Sequence, residues 1–459
     1  MPSKAANRLM LIDVVGLTKG LLVKMPWLSS WAAQRQVNNI QPMLPAVTCS
    51  VQATYLTGKT PSQHGIVGNG WYNPEIAEIN LWRQSYGLLQ APYIWHQMRQ
   101  SNPDFKVCNT GWWFNMYSGA DYSVTPRPQY RADGIKAPDC YTEPPVWRDE
   151  LQAELGQFPL FHYWGPRTTI QSSAWLAKAA IIAERKWQPD LNLVYLPHLD
   201  YCLQRRGDGD PDNQQDLNEL DQVLKTLITD AEAGGLQVWV ISEYGINNVN
   251  RPVHLNRVLR QAGYLRIREE NGGELLDAPA SPAFAVADHQ VAHIYIKDKA
   301  QTETIKALLA AQDGVAQVLS GTDRTVAGLD NPRAGDLVVV AAQDAWFTYY
   351  YWLDDTKAPD FARIVDIHKK PGYDPVELFI NPKMPVPMLQ VGLKLLRKKL
   401  GFRYLMDVIP LDATLVKGSH GAIPADSAYH PVLIGNHEQI SKNTIAATEV
   451  YDLMRRFLG

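Results

Sequence analysis

Three apolar runs in this chain each close on a carboxylate, and that recurrence is what most narrows the folds open to it. Residues 8–16 read RLMLIDVVG, 191–200 read LNLVYLPHLD, and 236–245 read LQVWVISEYG. Runs this short and this apolar predict strands buried on both faces, as in a parallel sheet. Between the second and third lies 211–235, whose apolar residues recur at helical spacing before a Gly-Gly pair. A helix closed by glycine is expected there. QVNNIQPML (36–44) reads as a further strand and SVQATYLTG (50–58) as a helix. Strands alternating with helices give βαβ units, hence an α/β fold with a mostly parallel central sheet.

The pattern changes after residue 250. QVAHIYIK (290–297) and AGDLVVVAAQ (334–343) read as strands around a short helix at 301–314, followed by the aromatic run AWFTYYYWLDD. We therefore expect a core made of 1–250 and 346–459, with 251–345 as an inserted or appended smaller sub-structure. The C-terminal stretch 443–459 reads as a closing helix. A basic run, KLLRKKLGFR (394–403), reads first as a solvated helix face, with a phosphate or membrane contact as the second reading.

Net charge is −3 and no Lys/Arg stripe dominates, which argues against a nucleic-acid polymer as partner. Cys49, Cys108, Cys140 and Cys202 form no CxxC pair, so reduced thiols in a cytoplasmic protein are expected. The N-terminal apolar run stops at Asp13, too early for a secretory leader, and no run approaches the ~18 residues of a membrane span.

In open parallel sheets ligands gather at the carboxyl edge, where Asp13, Asp200 and Glu243 are expected to converge. Converging carboxylates repel, and a divalent metal between them is the usual remedy. His420, between glycines in GSHG, adds an imidazole of the kind metals take. Thr48 falls at a helix start. There it serves either as a cap or as a hydroxyl activated by the helix dipole and a metal. Cys49 competes as nucleophile because a thiolate is intrinsically stronger.

The stretch PAVTCSVQATYLTGKTPSQHGIVGNGWY (45–72) closely resembles the nucleophile region of nucleotide pyrophosphatase/phosphodiesterases, a branch of the alkaline phosphatase superfamily. The family's Pro-x-x-Thr, Thr-Gly, Pro-x-x-His-Gly and Gly-Asn stand here as Pro45 to Thr48, Thr57-Gly58, Pro61 to Gly65, and Gly68-Asn69. The resemblance implies an alkaline-phosphatase-like three-layer sandwich. It implies that Thr48 is a nucleophile forming a phospho-threonine, and that Asn69 donates to a phosphate oxygen. Asp13 then corresponds to a ligand of the activating metal and His420 to a ligand of a second one. His64 is expected to be structural.

Three ligand positions depart from the family pattern. Asp-x-x-x-His reads Asp200 to Gln204, and Asp-His-Gly reads Glu243-Tyr244-Gly245. The donor set Asp13, Asp200, Gln204, Glu243, Tyr244 and His420 has thus shifted toward oxygen, which favours Mg or Mn over Zn. One or two divalent ions (Zn, Mn or Mg) are expected. The alternatives are Mn or Mg in place of zinc, a single metal, or loss of hydrolysis. His198 and His289 are the imidazoles that could compensate. Trp71, Tyr72 and Trp112 are candidates to stack a flat leaving group, and Arg205, with Arg206, to pair with a phosphate. The expected function is hydrolysis of a small phosphorylated metabolite, of the phosphodiesterase/pyrophosphatase type. The alternative is a degenerate relative that binds such a ligand or a partner without hydrolysis.

Overall fold

The computed structural model describes residues 7–132, 135–402, 404–436 and 443–459. Its core elements, in chain order, are β1 (Leu9–Val14), β2 (Gln36–Gln41), α1 (Thr48–Thr57), β3 (Val107–Thr110), β4 (Tyr122–Pro126), β5 (Cys140–Glu143), α2 (Gln171–Trp187), β6 (Leu191–Leu196), α3 (His198–Arg206), α4 (Asn213–Ala233) and β7 (Gln237–Ile241). Then come β8 (Ala283–Asp288), β9 (Val291–Ile296), β10 (Val315–Leu319), β11 (Leu337–Ala341), α5 (Pro387–Lys399), β12 (Val432–Gly435), β13 (Thr444–Ala446) and α6 (Glu449–Leu458).

Nine strands form one sheet in the order β13-β2-β12-β7-β1-β6-β3-β4-β5. The middle five, β7-β1-β6-β3-β4, pair in parallel, and only β5 and β12 run against the rest. β1 is buried at all six positions because it lies between two parallel neighbours under helices. Leu9 pairs with Leu191 on one side and Gln237 on the other, and this register carries Asp13 level with Tyr195 and Ile241. The apolar strands therefore deliver their polar ends to one edge.

A second sheet, antiparallel throughout, runs β8-β9-β11-β10. It has its own apolar cluster, which takes in Phe284, Ile294 and Val339 and reaches Tyr349 to Trp352, Val376 and Val416. The aromatic run thus packs on this smaller sheet through Tyr349, Tyr350, Tyr351 and Trp352.

Two local expectations need correction. The strand expected to carry Asp200 ends at Leu196. Pro197 cannot donate to a ladder, and His198 opens α3, so Asp200 sits in the first turn of a helix. His198 and Asp200 do not share a strand face. The closing helix is also shorter than expected: Thr444–Ala446 pairs with β2, and α6 begins at Glu449.

Candidate active site

α1 is buried along its whole length and starts at Thr48 itself. Val47, in extended conformation, is the cap and makes no side-chain bond. Thr48 is therefore not held in place by capping, and its hydroxyl lies 2.9 Å from Tyr244 Oη. Glu243 and Tyr244 follow β7, while Asp13 is in β1 beside it. Four residues along α1, one helical turn from Thr48, Gln52 points the same way. Gln52 Nε2 donates to Asp13 Oδ2 at 3.1 Å and to Glu243 Oε1 at 2.6 Å. Gln52 Oε1 is taken by the backbone N–H of Trp113 at 2.8 Å, which fixes the orientation of the amide.

Burial, reinforced by the charge of Glu243, pushes the Asp13 carboxyl well above the usual range. Burial also raises Glu243, and the neighbouring Asp13, Thr48, Gln52 and Tyr244 act in the opposite direction. A buried acid pair of this kind holds either a proton or a cation. Burial holds the Tyr244 phenol and the Cys49 thiol well above their ordinary values, so both stay protonated.

The second cluster is built on α3. Asp200 and Gln204 are four residues apart on one helical face, and Gln204 Nε2 donates to Asp200 Oδ2 at 2.8 Å. Gln204 Oε1 accepts from Tyr373 Oη at 2.9 Å. Both ends of that amide are thus engaged. Burial, with the Glu243 charge second, raises Asp200 to about 8. His420 Nδ1 is 2.8 Å from Ala46 O. A carbonyl only accepts, so Nδ1 carries the proton, and Nε2 presents its lone pair 3.6 Å from Asp200 Oδ1. The His420 ring lies flat on Tyr244 at 3.6 Å, which joins the two clusters.

A third group closes the site from the smaller sheet. Asp288, at the end of β8, accepts from Asn69 N at 2.7 Å and from Asn69 Nδ2 at 3.0 Å. Asn69 Oδ1 in turn accepts the Cys49 N–H at 3.0 Å. His289 Nδ1 is 2.7 Å from Asp288 Oδ1, and its ring sits 3.8 Å from His420 and 3.5 Å from Tyr373. Tyr373 is anchored by its segment: buried Lys370 pairs with Asp374 at 2.8 Å and Glu377 at 2.7 Å.

The structure thus brings Thr48, Asn69, Asp13, Asp200, Gln204, Glu243, Tyr244 and His420 together, with His289 beside them. His198 is elsewhere, 3.1 Å from Asp216 of α4. Trp112 is fully buried in the main core. Tyr72 packs edge-on against Phe284 and Tyr295, and Trp71 lies under Arg333. Arg205, whose charge is opposed by burial, keeps its Nε without a partner. His64 is buried and bonded to Thr54 Oγ1, with burial lowering it to about 3. Gln52, Asp288 and Tyr373 were missed from sequence. For Gln52 the signal was available, because it stands one turn after Thr48.

The unpaired atoms of this donor set suit a metal. Asp13 Oδ1, Glu243 Oε2, Asp200 Oδ1 and His420 Nε2 are all buried without a hydrogen-bond partner. Such atoms are costly unless something positive meets them, so the residues fit divalent cations. They form pairs, Asp13 with Glu243 and Asp200 with His420. Among the described residues the one group of three His, Cys, Asp or Glu donors within 4.8 Å of one another is His198, Asp216 and Glu219. A cation at either pair would therefore complete its shell with neutral oxygens.

This sheet, with acids and a helix N-terminus at one edge, is the architecture of the alkaline phosphatase superfamily. The Type I phosphodiesterase / nucleotide pyrophosphatase model matches residues 9–374, and the chain belongs to that family of phosphoesterase-type hydrolases. Solved structures share the fold at low identity. Phosphonoacetate hydrolase from Sinorhizobium meliloti 1021, in complex with phosphonoformate, is 14% identical with a TM-score of 0.63 over 99% of this chain and 96% of that one. Murine ectonucleotide pyrophosphatase / phosphodiesterase 5, an inactive form in complex with AMP, is 13% identical with a TM-score of 0.59 over 98% and 95%. No curated protein matches. No described helix is long and apolar enough to cross a membrane.

Proposed function

We propose that this chain is a metal-dependent phosphodiesterase or pyrophosphatase that uses Thr48 as its nucleophile on a small phosphorylated metabolite. The carrying observation is the position of Thr48 Oγ1: at a buried helix N-terminus, on Tyr244 Oη, beside the Asp13–Glu243 pair. Attack forms a Thr48 Oγ–P bond and breaks the P–O bond to the leaving group. The hydroxyl proton passes by way of the acid pair to the leaving oxygen. Water then attacks phosphorus: its oxygen forms a new P–O bond as the Thr48 Oγ–P bond breaks, one of its protons returns to Thr48 Oγ, and the other leaves with the phosphate product. Asn69 Nδ2 carries two hydrogens and gives one to Asp288, so the other serves a phosphoryl oxygen.

Asp13 and Glu243 are the residues to hold one cation, and Asp200 with His420 a second, the oxygen-rich set favouring Mg or Mn. When bound, such a cation lowers the pKa of a coordinated hydroxyl and offsets charge on phosphorus. The buried Cys49 thiol, held protonated, is the weaker candidate nucleophile.

A second reading has its own observation. The Gln52 amide already sits between the two acids, where a cation would otherwise be needed, and this suits a relative that binds without hydrolysing. The test is turnover of bis-p-nitrophenyl phosphate by protein purified without chelator, with Mg, Mn or Zn added, alongside elemental analysis. Bound metal with turnover is expected. Neither metal nor turnover under any ion overturns the hydrolase reading in favour of the second.

A further inference from the structure

The helix α5 is built inside out. Its residues Val391, Lys394 and Lys398 face the body of the protein, while Leu389, Leu393 and Leu396, continued by Leu400 at the helix end, form the outer stripe, each about half exposed or more (50–62%). Lys394 is tied to Asp407 and to Leu405 O, and Lys398 lies over the Tyr404 ring. No residue of this helix is buried. Globular helices turn their apolar face to the core, so four leucines at i, i+4, i+7 and i+11 facing outward are a surface kept for something else. Met388, Phe402 and Leu405 extend the patch, at 74%, 63% and 44% exposure.

The rim is cationic. Lys383, Arg397 and Lys399 are exposed there, and Asp407, the next acid along the chain, is paired with Lys394 on the inner side. Arg397 and Lys399 fall on opposite sides of the leucine stripe on the helical projection. A convex apolar ridge with cations on both flanks suits a surface that is soft, apolar below and anionic above. A groove in a partner protein would require no such charge.

We infer that α5 and the residues after it form an interfacial anchor that lies in the headgroup layer of an anionic lipid bilayer. The leucines enter the acyl boundary and Lys383, Arg397 and Lys399 meet the headgroups. The inference is independent of the proposed reaction, since none of these residues lies in the candidate active site.

The test is flotation of the full chain with vesicles of 70% phosphatidylcholine and 30% phosphatidylglycerol, and with phosphatidylcholine alone. The variants are Leu389→Gln/Leu393→Gln/Leu396→Gln and Arg397→Gln/Lys399→Gln. These side chains face solvent, so thermal midpoints should match the parent. The parent should partition at least tenfold more strongly into the anionic vesicles, with binding weakened by salt. Either variant should lose at least tenfold. Absence of binding, or equal binding by parent and leucine variant, overturns the inference. So does a parent that sediments as a dimer while the leucine variant is monomeric and no chain floats, which would assign the stripe to self-association.

Discussion

Gln52 Nε2 lies 2.6 Å from Glu243 Oε1 and 3.1 Å from Asp13 Oδ2, so one neutral amide spans the acid pair. This amide satisfies one oxygen of each carboxylate and leaves Asp13 Oδ1 and Glu243 Oε2 unmet. Gln52→Leu removes both of these bonds and the one from the Trp113 N–H, all to buried groups. It should destabilise the chelator-treated protein by about 1–3 kcal/mol, read as a lower thermal midpoint. Adding Mg or Mn should recover part of that loss if a cation enters the pair. Equal losses with and without metal would separate Gln52 from metal binding.

Thr48→Ala should lower turnover by about three orders of magnitude or more while the far-UV spectrum and thermal midpoint stay near the parent's. Cys49→Ala should cost less than about tenfold, because that thiol is buried and held protonated. A parental rate in Thr48→Ala would remove it from the mechanism.

The middle of the central sheet was legible because β1, β6 and β7 are almost wholly apolar, and β1 and β6 each pair with two strands of the sheet. The acids at its edge were legible for a related reason: each interrupts or closes an otherwise apolar run, and a carboxylate is tolerated there where the strand opens on a polar cleft. What pattern could not supply was contact between distant segments. Tyr373 reaches Gln204 across 169 residues, and Asp288 reaches Asn69 across 219. Neither pair has a spacing to read. Asp200 was misplaced onto a strand because the apolar run LNLVYL leads straight into Pro197 with no polar break before it, and only the missing N–H at that proline marks the change to helix.

The Lys370 ammonium is opposed by burial, yet Asp374 and Glu377 outweigh that and hold it above its ordinary value. Lys370→Met would leave two buried carboxylates without their cation. A loss of about 3–5 kcal/mol is expected from breaking a buried pair on one side. Because Tyr373 lies between these residues, the variant should also disturb its contact with Gln204. Hydrogen exchange over 366–378 should rise selectively; unchanged exchange would make the segment independent of this lysine.

Asp200 gives a pH dependence with a definite sign. Its pKa is about 8 in the folded protein and near the ordinary carboxylate value, about 4, when unfolded. Between those values the native state binds more protons than the unfolded state, so stability falls as pH rises. Asp13 and Glu243 are raised as well and act in the same direction. The buried imidazoles of His289 and His420 are depressed, so their destabilising protonation is confined to lower pH, below about 6.5. Metal-free protein should therefore lose thermal stability steadily from pH 6.5 to 8.5. Asp200→Asn should flatten that slope. A slope unchanged in the variant would assign the dependence to other groups.

Gln204 and Tyr244 stand where the family pattern has histidines, and the structure shows why neither acts as an imidazole would. The Gln204 amide is spent on Asp200 and Tyr373. Tyr244, kept protonated by burial, spends its hydroxyl on Thr48 and lays its ring on His420. Replacing both by histidine restores two nitrogen donors and shifts preference toward zinc. The double variant should bind zinc at least tenfold more tightly than the parent by calorimetry, and should gain zinc-supported turnover relative to that with Mg. Gln204→His alone tests the Asp200–His420 side, since an imidazole there shares its donors with that pair and not with Thr48. If zinc affinity rises while turnover stays absent under every ion, the defect lies beyond the ligands, with the Gln52 bridge the next residue to remove. If zinc affinity does not change, these two positions do not face a cation at all, and the unpaired oxygens of Asp13 and Glu243 define a single site.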